Sequence, residues 1–359
     1  MLSKIHLYIN IIWALLLVVS GLAKHINPLD YWAPAFLGIS YPFLLVLNIF
    51  SILLWFIFFK KKRNVFISIF AIIITWSAFT STINISAPAR SISEISLLTW
   101  NVKNFDLYNW SDNLKTRELM IELIEEKKPD ILCLQEFYTE KTGKFKNIKE
   151  IKKRLGYKHH YFGETFNIKN NKKWGLITFS KFPIKDKGQM KFNKGSRLNS
   201  CIYTDIQISK DNIVRVYNTH LQSLHFGNDD YEVLKELKNE KTTNVDGAIQ
   251  IAKKLKRGFQ KRAIQAELIV KHKNKFKGKS IICGDFNDTP TSFAYQTLKT
   301  DMQDAFKEKG IGFGKTLVNP SPFFRIDFVL LNENISIQNY KTYKKKHSDH
   351  FPVQVYFKM

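Results

Sequence analysis

The first 85 residues hold three apolar stretches, 5–23, 35–59 and 65–83, and they constrain the chain more than anything after them. Each approaches the roughly 20 residues needed to cross the hydrocarbon core of a bilayer. The first stretch has the length of a signal peptide. No convincing small-residue cleavage site leads from it into soluble sequence, so three spans are the better reading. Residues 1–90 are therefore expected to form a membrane anchor with three transmembrane helices, and residues 91–359 a separate domain.

Orientation follows from charge. Lys60, Lys61, Lys62 and Arg63 lie between the second and third stretches, and the positive-inside rule puts that loop in the cytoplasm. The third span then delivers the C-terminal domain outside, since long domains translocate largely regardless of charge. The expectation is a multi-pass protein of the inner or plasma membrane with an extracytoplasmic domain. About a dozen residues, 81–93, separate the last span from the first strand-like run, which keeps the domain near the bilayer. Seven of the 55 Lys and Arg, and one of the 31 acids, fall in the first 90 residues. Most of the net charge of +24 thus belongs to the domain. Such a surplus favours polyanions or anionic surfaces, although the lysines are scattered and a generally Lys-rich composition explains them equally well. Cys133, Cys201 and Cys283 sit in apolar runs with no CxxC pair, which argues against a disulfide framework or a zinc site.

After residue 90 the pattern is that of an α/β protein. Strand-like runs at 95–102, 130–135, 157–162, 175–180, 201–208, 213–218, 281–283, 325–331 and 352–357 outnumber the helical spacings at 114–128 and 248–272. Residues 169–173 look like a solvated tip and 225–245 like a surface insertion. Neighbouring strand runs suggest mixed sheets with helices outside.

Polar residues recur at the ends of these strands: Asn101, Glu136, His220, Asp285, Asn287, Asp349 and His350. Singly, each has an ordinary explanation. Asp285 and its neighbours can cap the helix after Pro290, and a lone histidine such as His220 is usually structural. Asp327, inside an apolar strand, is harder to dismiss because a buried carboxylate needs a partner; His350 is the candidate. Together they describe metal-assisted phosphoester hydrolysis. The oxygen ligands Asn101, Glu136 and Asp349 suit Mg²⁺ or Mn²⁺ better than zinc, and an Asp–His pair supplies acid–base or electrostatic help.

The set Trp-Asn101-Val, Leu-Gln-Glu136, Asn-Thr-His220-Leu, Gly-Asp285-Phe-Asn287-Asp, Arg-Ile-Asp327 and Ser-Asp349-His350-Phe-Pro, in this order, resembles the endonuclease/exonuclease/phosphatase (DNase I-like) superfamily over residues 94–359. The resemblance implies a four-layer α/β/β/α sandwich of two mixed sheets, preceded here by the transmembrane helices. It implies Asn101 and Glu136 as the metal pair with Asp349 near them, and Asp285 as the residue that orients or deprotonates water. Asn287 becomes a transition-state stabiliser, Asp327 and His350 the dyad at the scissile phosphate, and His220 a second phosphate contact. A histidine at 220 is similar to the DNase and sphingomyelinase branches and unlike abasic-site endonucleases. The expected function is a membrane-anchored phosphodiesterase or nuclease dependent on Mg²⁺ or Mn²⁺ and acting on nucleic acid. The alternatives are a sphingomyelinase-like phospholipid headgroup hydrolase, a hydrolase of phosphorylated small molecules, and a catalytically dead binding module. No protein partner is implied.

Overall fold

A computed structural model describes residues 1–86, 95–190, 192, 199–224, 245–319 and 321–359. Most of the expected surface insertion at 225–245 and much of the 81–93 connection lie outside the described residues. The chain forms two compact units: Met1–Phe79 with Gln222–Ala266 and Thr291–Thr297, and Thr80–Leu221 with Glu267–Pro290 and Leu298–Met359.

In the first unit, helices α1 (Leu2–Leu22) and α2 (Ala33–Phe58) are long and apolar enough to cross a membrane. The third expected span is two helices, α3 (Val65–Ile74) and α4 (Trp76–Thr82). Counted with the turn at Lys62–Asn64, they are bent by 78° at Thr75, which makes a broken span or a re-entrant loop. The Thr75 hydroxyl donates back to the Ala71 carbonyl at 2.9 Å, a bond that competes with the helical ladder. Polar side chains join the helices where apolar contact alone gives little preference. Ser68 Oγ donates to Asn10 Oδ1 at 2.6 Å, and Asn48 Nδ2 to the Trp13 carbonyl at 3.0 Å.

The second unit is built on two six-stranded mixed sheets. After a short strand β1 (Asn84–Ile85), the long strands are β2 (Ile95–Asn101), β3 (Ile131–Glu140), β4 (His159–Ile168), β5 (Lys172–Ser180), β6 (Ile184–Met190), β7 (Ser200–Ser209), β8 (Asn212–His220) and β9 (Lys279–Asp285). Then come β10 (Met302–Asp304), β11 (Ile311–Gly312), β12 (Asp327–Asn332), β13 (Ser336–Thr342) and β14 (Val353–Lys358). One sheet runs β13-β14-β2-β3-β5-β4 and the other β10-β12-β9-β8-β7-β6; β1 pairs with β11. Within the large sheets β2–β3 and β8–β9 are parallel and the other pairs antiparallel.

Strand alternation sorts the core into layers. Leu97, Cys133, Val214, Val216, Ile281, Cys283 and Val355 share one buried cluster drawn from both sheets. Leu98, Trp100, Leu132, Leu134 and Ile177 face the other way, onto Met120, Ile121 and Ile124 of α5 (Thr116–Lys127) and Ile151 of α6 (Asn147–Leu155). All three cysteines are free and buried. Near one end of the inner layer Gln135 Nε2 donates to Asn218 Oδ1 at 2.7 Å and to Thr99 Oγ1 at 3.0 Å, which ties the sheets together.

Candidate active site

Both parallel pairs present their C-terminal ends at the same edge of the sandwich. The register of the second sheet sets His220 opposite Asp285 and Asp285 opposite Asp327, three polar residues in a row across β8, β9 and β12. In the first sheet Asn101 ends β2 beside Gln135. Glu136 follows in an irregularity of the β3–β5 pairing between Leu134 and Phe137, with a left-handed φ of 47°. Such a bulge re-aims a side chain, here toward the second sheet.

Asp285 is the centre of the cluster. Its Oδ2 accepts from Asn101 Nδ2 at 3.0 Å and lies 3.6 Å from His220 Nε2 and 3.7 Å from His350 Nε2. Its Oδ1 accepts from the backbone N–H of Asn287 at 2.8 Å. Asn101 Nδ2 also donates to Glu136 Oε1 at 3.1 Å, and that oxygen is 3.7 Å from His220 Nε2. His350 Nδ1 and Asp327 Oδ2 share a hydrogen bond of 2.8 Å. Asn287, at φ 52°, donates its amide to the Leu221 carbonyl at 3.1 Å. Asp349 stands at the rim, paired with Lys103 Nζ at 3.0 Å and accepting from Ser348 Oγ at 3.1 Å. Ser348 Oγ also donates to the Asn101 carbonyl at 2.8 Å. The structure thus gathers Asn101, Glu136, His220, Asp285, Asp327 and His350; Asn287 joins through its backbone, and Asp349 faces outward.

Burial shapes the charges. It pushes the Asp285 carboxyl up, more than the His350 and His220 charges pull it down. Burial alone would lower the His350 imidazole, but Asp327 and Asp285 hold it well above the ordinary histidine range. Asp327 thus holds the His350 ring by Nδ1, with Nε2 3.7 Å from Asp285 Oδ2. Both ring nitrogens of His220 and Oδ1 of Asp327 are buried without a hydrogen-bond partner. Orphaned groups of this kind are costly unless something binds there.

The donor set suits a divalent ion. Glu136 offers a half-buried carboxylate beside the Asn101 carboxamide, hard oxygens of the type Mg²⁺ and Mn²⁺ prefer. Asp285, Asp327 and His350 also lie close enough together to hold an ion. His350 Nδ1 is committed to Asp327; Glu136 and Asn101 would hold the ion once the Asn101 amide turns, since its Oδ1 accepts the Lys103 N–H at 3.1 Å and its Nδ2 faces Glu136.

Three supports carry no signal in the sequence periodicity. Trp100 Nε1 donates to the His350 carbonyl at 2.8 Å. Thr316, in the loop between β11 and β12, takes the backbone N–H groups of Ile326 and Asp327 on its hydroxyl at 2.9 and 3.1 Å. Gly284, at φ 130°, lets β9 approach β8 so closely that a Cβ there would lie 2.0 Å from the Thr219 carbonyl oxygen.

Residues 98–350 match the profile of the endonuclease/exonuclease/phosphatase family, and residues 3–82 match one described as a domain of unknown function. Among solved structures, similarity extends to an endonuclease/exonuclease/phosphatase from Beutenbergia cavernae DSM 12333. It is 15% identical with a TM-score of 0.55, over 75% of this chain and 72% of that one. An endonuclease/exonuclease/phosphatase from Bacteroides vulgatus is 16% identical with a TM-score of 0.55, over 75% of this chain and all of its own (100%). A mannosyl-6-phosphatase from Bacteroides thetaiotaomicron VPI-5482 is 15% identical with a TM-score of 0.54, over 74% and 100%. At this identity the likeness is one of fold. No curated protein matches the chain.

Proposed function

The chain belongs to the endonuclease/exonuclease/phosphatase family, and on that premise we propose that it is a membrane-anchored, divalent-metal-dependent phosphodiesterase acting outside the cytoplasm. The observation that carries the chemistry is the sharing of one buried carboxylate, Asp285, among Asn101, His220 and His350, with Asp327 behind His350. Asp285 is placed to orient a water and take its proton. The His350 imidazolium, fixed by Asp327, offers Nε2 to a phosphate oxygen, and His220 offers a second N–H. The orphaned His220 nitrogens support that role, since a phosphate oxygen would satisfy one of them. Asn101 and Glu136 would hold Mg²⁺ or Mn²⁺, with Asp349 joining after release from Lys103. When bound, the ion supplies charge stabilisation at the phosphoryl and leaving oxygens.

The basic composition favours a nucleic-acid substrate. The apolar helices favour a second reading, a phospholipid headgroup at the bilayer surface. A paired assay on full-length protein in detergent with Mg²⁺ separates them, using plasmid DNA and phospholipid vesicles with His350→Ala as control. Nicking that disappears in the variant and on chelation is the expected result. Headgroup release without nicking would transfer the enzyme to lipid hydrolysis, and neither activity would point to a phosphorylated small molecule.

Contacts inside the first unit support the orientation. The helix α7 (Val245–Lys273) meets the segment between α1 and α2: Phe259 packs edge-on against Phe36 with centroids 5.3 Å apart, Lys256 Nζ lies 4.8 Å from the Trp32 ring centroid, and Gln260 Nε2 donates to the Pro28 carbonyl at 3.2 Å. Thr291 Oγ1 donates to the Gly38 carbonyl at 2.6 Å. Segments that belong to the hydrolase part of the sequence thus gather at the N-terminal end of α2. The Lys60–Arg63 loop follows its C-terminal end, about 39 Å away for 26 residues. With the basic loop inside, these segments fall on the outer side, which supports the extracytoplasmic reading. A phosphatase reporter fused after Met359 should then be active, and a cytoplasmic reporter silent; the reverse pattern would overturn the orientation.

A further inference from the structure

A second cluster of charge, unrelated to the one at Asp285, lies on the outer face of the first sheet. A cavity of about 610 Å³ there is walled by Lys141 at the end of β3, Lys146, Lys149 and Lys152 along α6, Lys173 on β5 and His160 on β4. Its volume falls in the range of small-ligand sites. Lys146, Lys149 and Lys152 follow one another at intervals of three, the spacing that aligns side chains along one side of a helix.

The cations outnumber the acids beside them. Lys173 pairs with Glu164 at 2.6 Å. Glu140, the one acid on the cavity wall, accepts from the Tyr138 hydroxyl at 2.6 Å and the Phe145 N–H at 3.2 Å and sets one negative charge against five lysines. Among the described residues none of Lys141, Lys146, Lys149 or Lys152 forms an ion pair. Burial lowers the His160 pKa first, and the charges of Lys152 and Lys187 lower it further. The apolar side chains of Ile148 and Phe162 complete the wall. Thr139 and Glu140 lie three and four residues beyond Glu136 on β3, roughly 10–13 Å along the strand.

We propose that this cavity is a recognition site for a compact polyanion carrying two or more phosphate groups, separate from the hydrolytic centre. Such an anion arrives either as a free phosphorylated sugar or polyol or as the headgroup of a phosphoinositide-like lipid; the charge and size of the cavity suit both. No Asp–His pair faces the cavity, so the ligand is held there and not cleaved.

The test uses full-length protein with EDTA present, so that divalent-metal hydrolysis does not intervene. Inositol trisphosphate binding is measured by calorimetry in detergent, and phosphatidylinositol bisphosphate binding in nanodiscs of phosphatidylcholine. Lys149→Gln combined with Lys152→Gln should weaken binding about tenfold or more with an unchanged thermal unfolding profile, whereas His350→Ala should leave it intact. Binding of the free headgroup identifies a soluble ligand, and binding confined to nanodiscs a lipid; either supports the site. Absence of binding to both probes overturns it, as does binding insensitive to the lysine pair. A single-stranded DNA oligonucleotide that outcompetes both probes, with the same lysine dependence, would also overturn it and make the cavity a nucleic-acid contact. Because the hydrolytic variant is read separately, the loss of one assignment leaves the other standing.

Discussion

Turnover should fall by about 10²–10⁴-fold when Asp285 is replaced by Asn, the range expected for loss of a positioned acid–base group. The substitution keeps the side chain's shape and removes its basicity, but it sets an NH₂ group against the Asn101 amide or the Asn287 N–H, so a lower unfolding midpoint of a still folded protein should accompany the lost turnover. His350→Ala should produce a comparable loss, because its ring is held by Asp327 at 2.8 Å with Nε2 toward Asp285, and His220, the other imidazole beside Asp285, has no such carboxylate bond to orient it. Groups acting as one unit are not additive. The double variant should accordingly be little slower than the worse single one. Metal-dependent rates within a few-fold of the parent in either single variant would sink the assignment of the centre.

The second large effect is structural. Gly284→Ala would place a Cβ 2.0 Å from the Thr219 carbonyl oxygen, at a φ of 130° that an L side chain seldom adopts. Gly284 stands between Thr219 on β8 and Phe328 on β12, so the clash cannot be relieved without parting strands that carry His220, Asp285 and Asp327. A cost of about 3 kcal/mol or more is expected, with activity lost together with stability. Gly156→Ala is the control. That residue also has a left-handed φ, 71°, but a Cβ there meets nothing within 4 Å, so the cost should be about 1 kcal/mol. Equal unfolding midpoints for the two variants would show that the close approach of β8 and β9 is not limiting.

Much of this architecture is legible in the sequence because strand burial writes itself as apolar runs. The runs at 281–283 and 213–218 end at Gly284-Asp285 and Thr219-His220, and the structure ends β9 and β8 there. Asp327 announced a partner by being a carboxylate in an apolar strand. The third apolar stretch misleads in one respect: composition gives its length, but the hydroxyl of Thr75 returning to the Ala71 carbonyl accompanies a bend that hydropathy does not register. Asp349 is a similar case. Its motif places it beside His350, while its ion pair with Lys103 depends on a run of left-handed residues, Lys103–Asp106, that has no sequence period. Thr316, with two hydrogen bonds, and Trp100, with one, act through contacts set by tertiary packing, which no spacing rule reveals.

Gln222, two residues after His220, and Thr291, four residues after Asn287, open the two later segments that belong to the compact unit containing the apolar helices. Gln222–Ala266 and Thr291–Thr297 thus belong with the apolar helices, although the sequence reaches them only after strands of the second unit. Cutting the protein at residue 91 would strip Phe259, Lys256, Gln260 and Thr291 of Phe36, Trp32, Pro28 and Gly38. A cut at that point therefore does not divide the protein into its two compact units: the hydrolase part of the sequence would carry away segments whose partners stay behind with the helices.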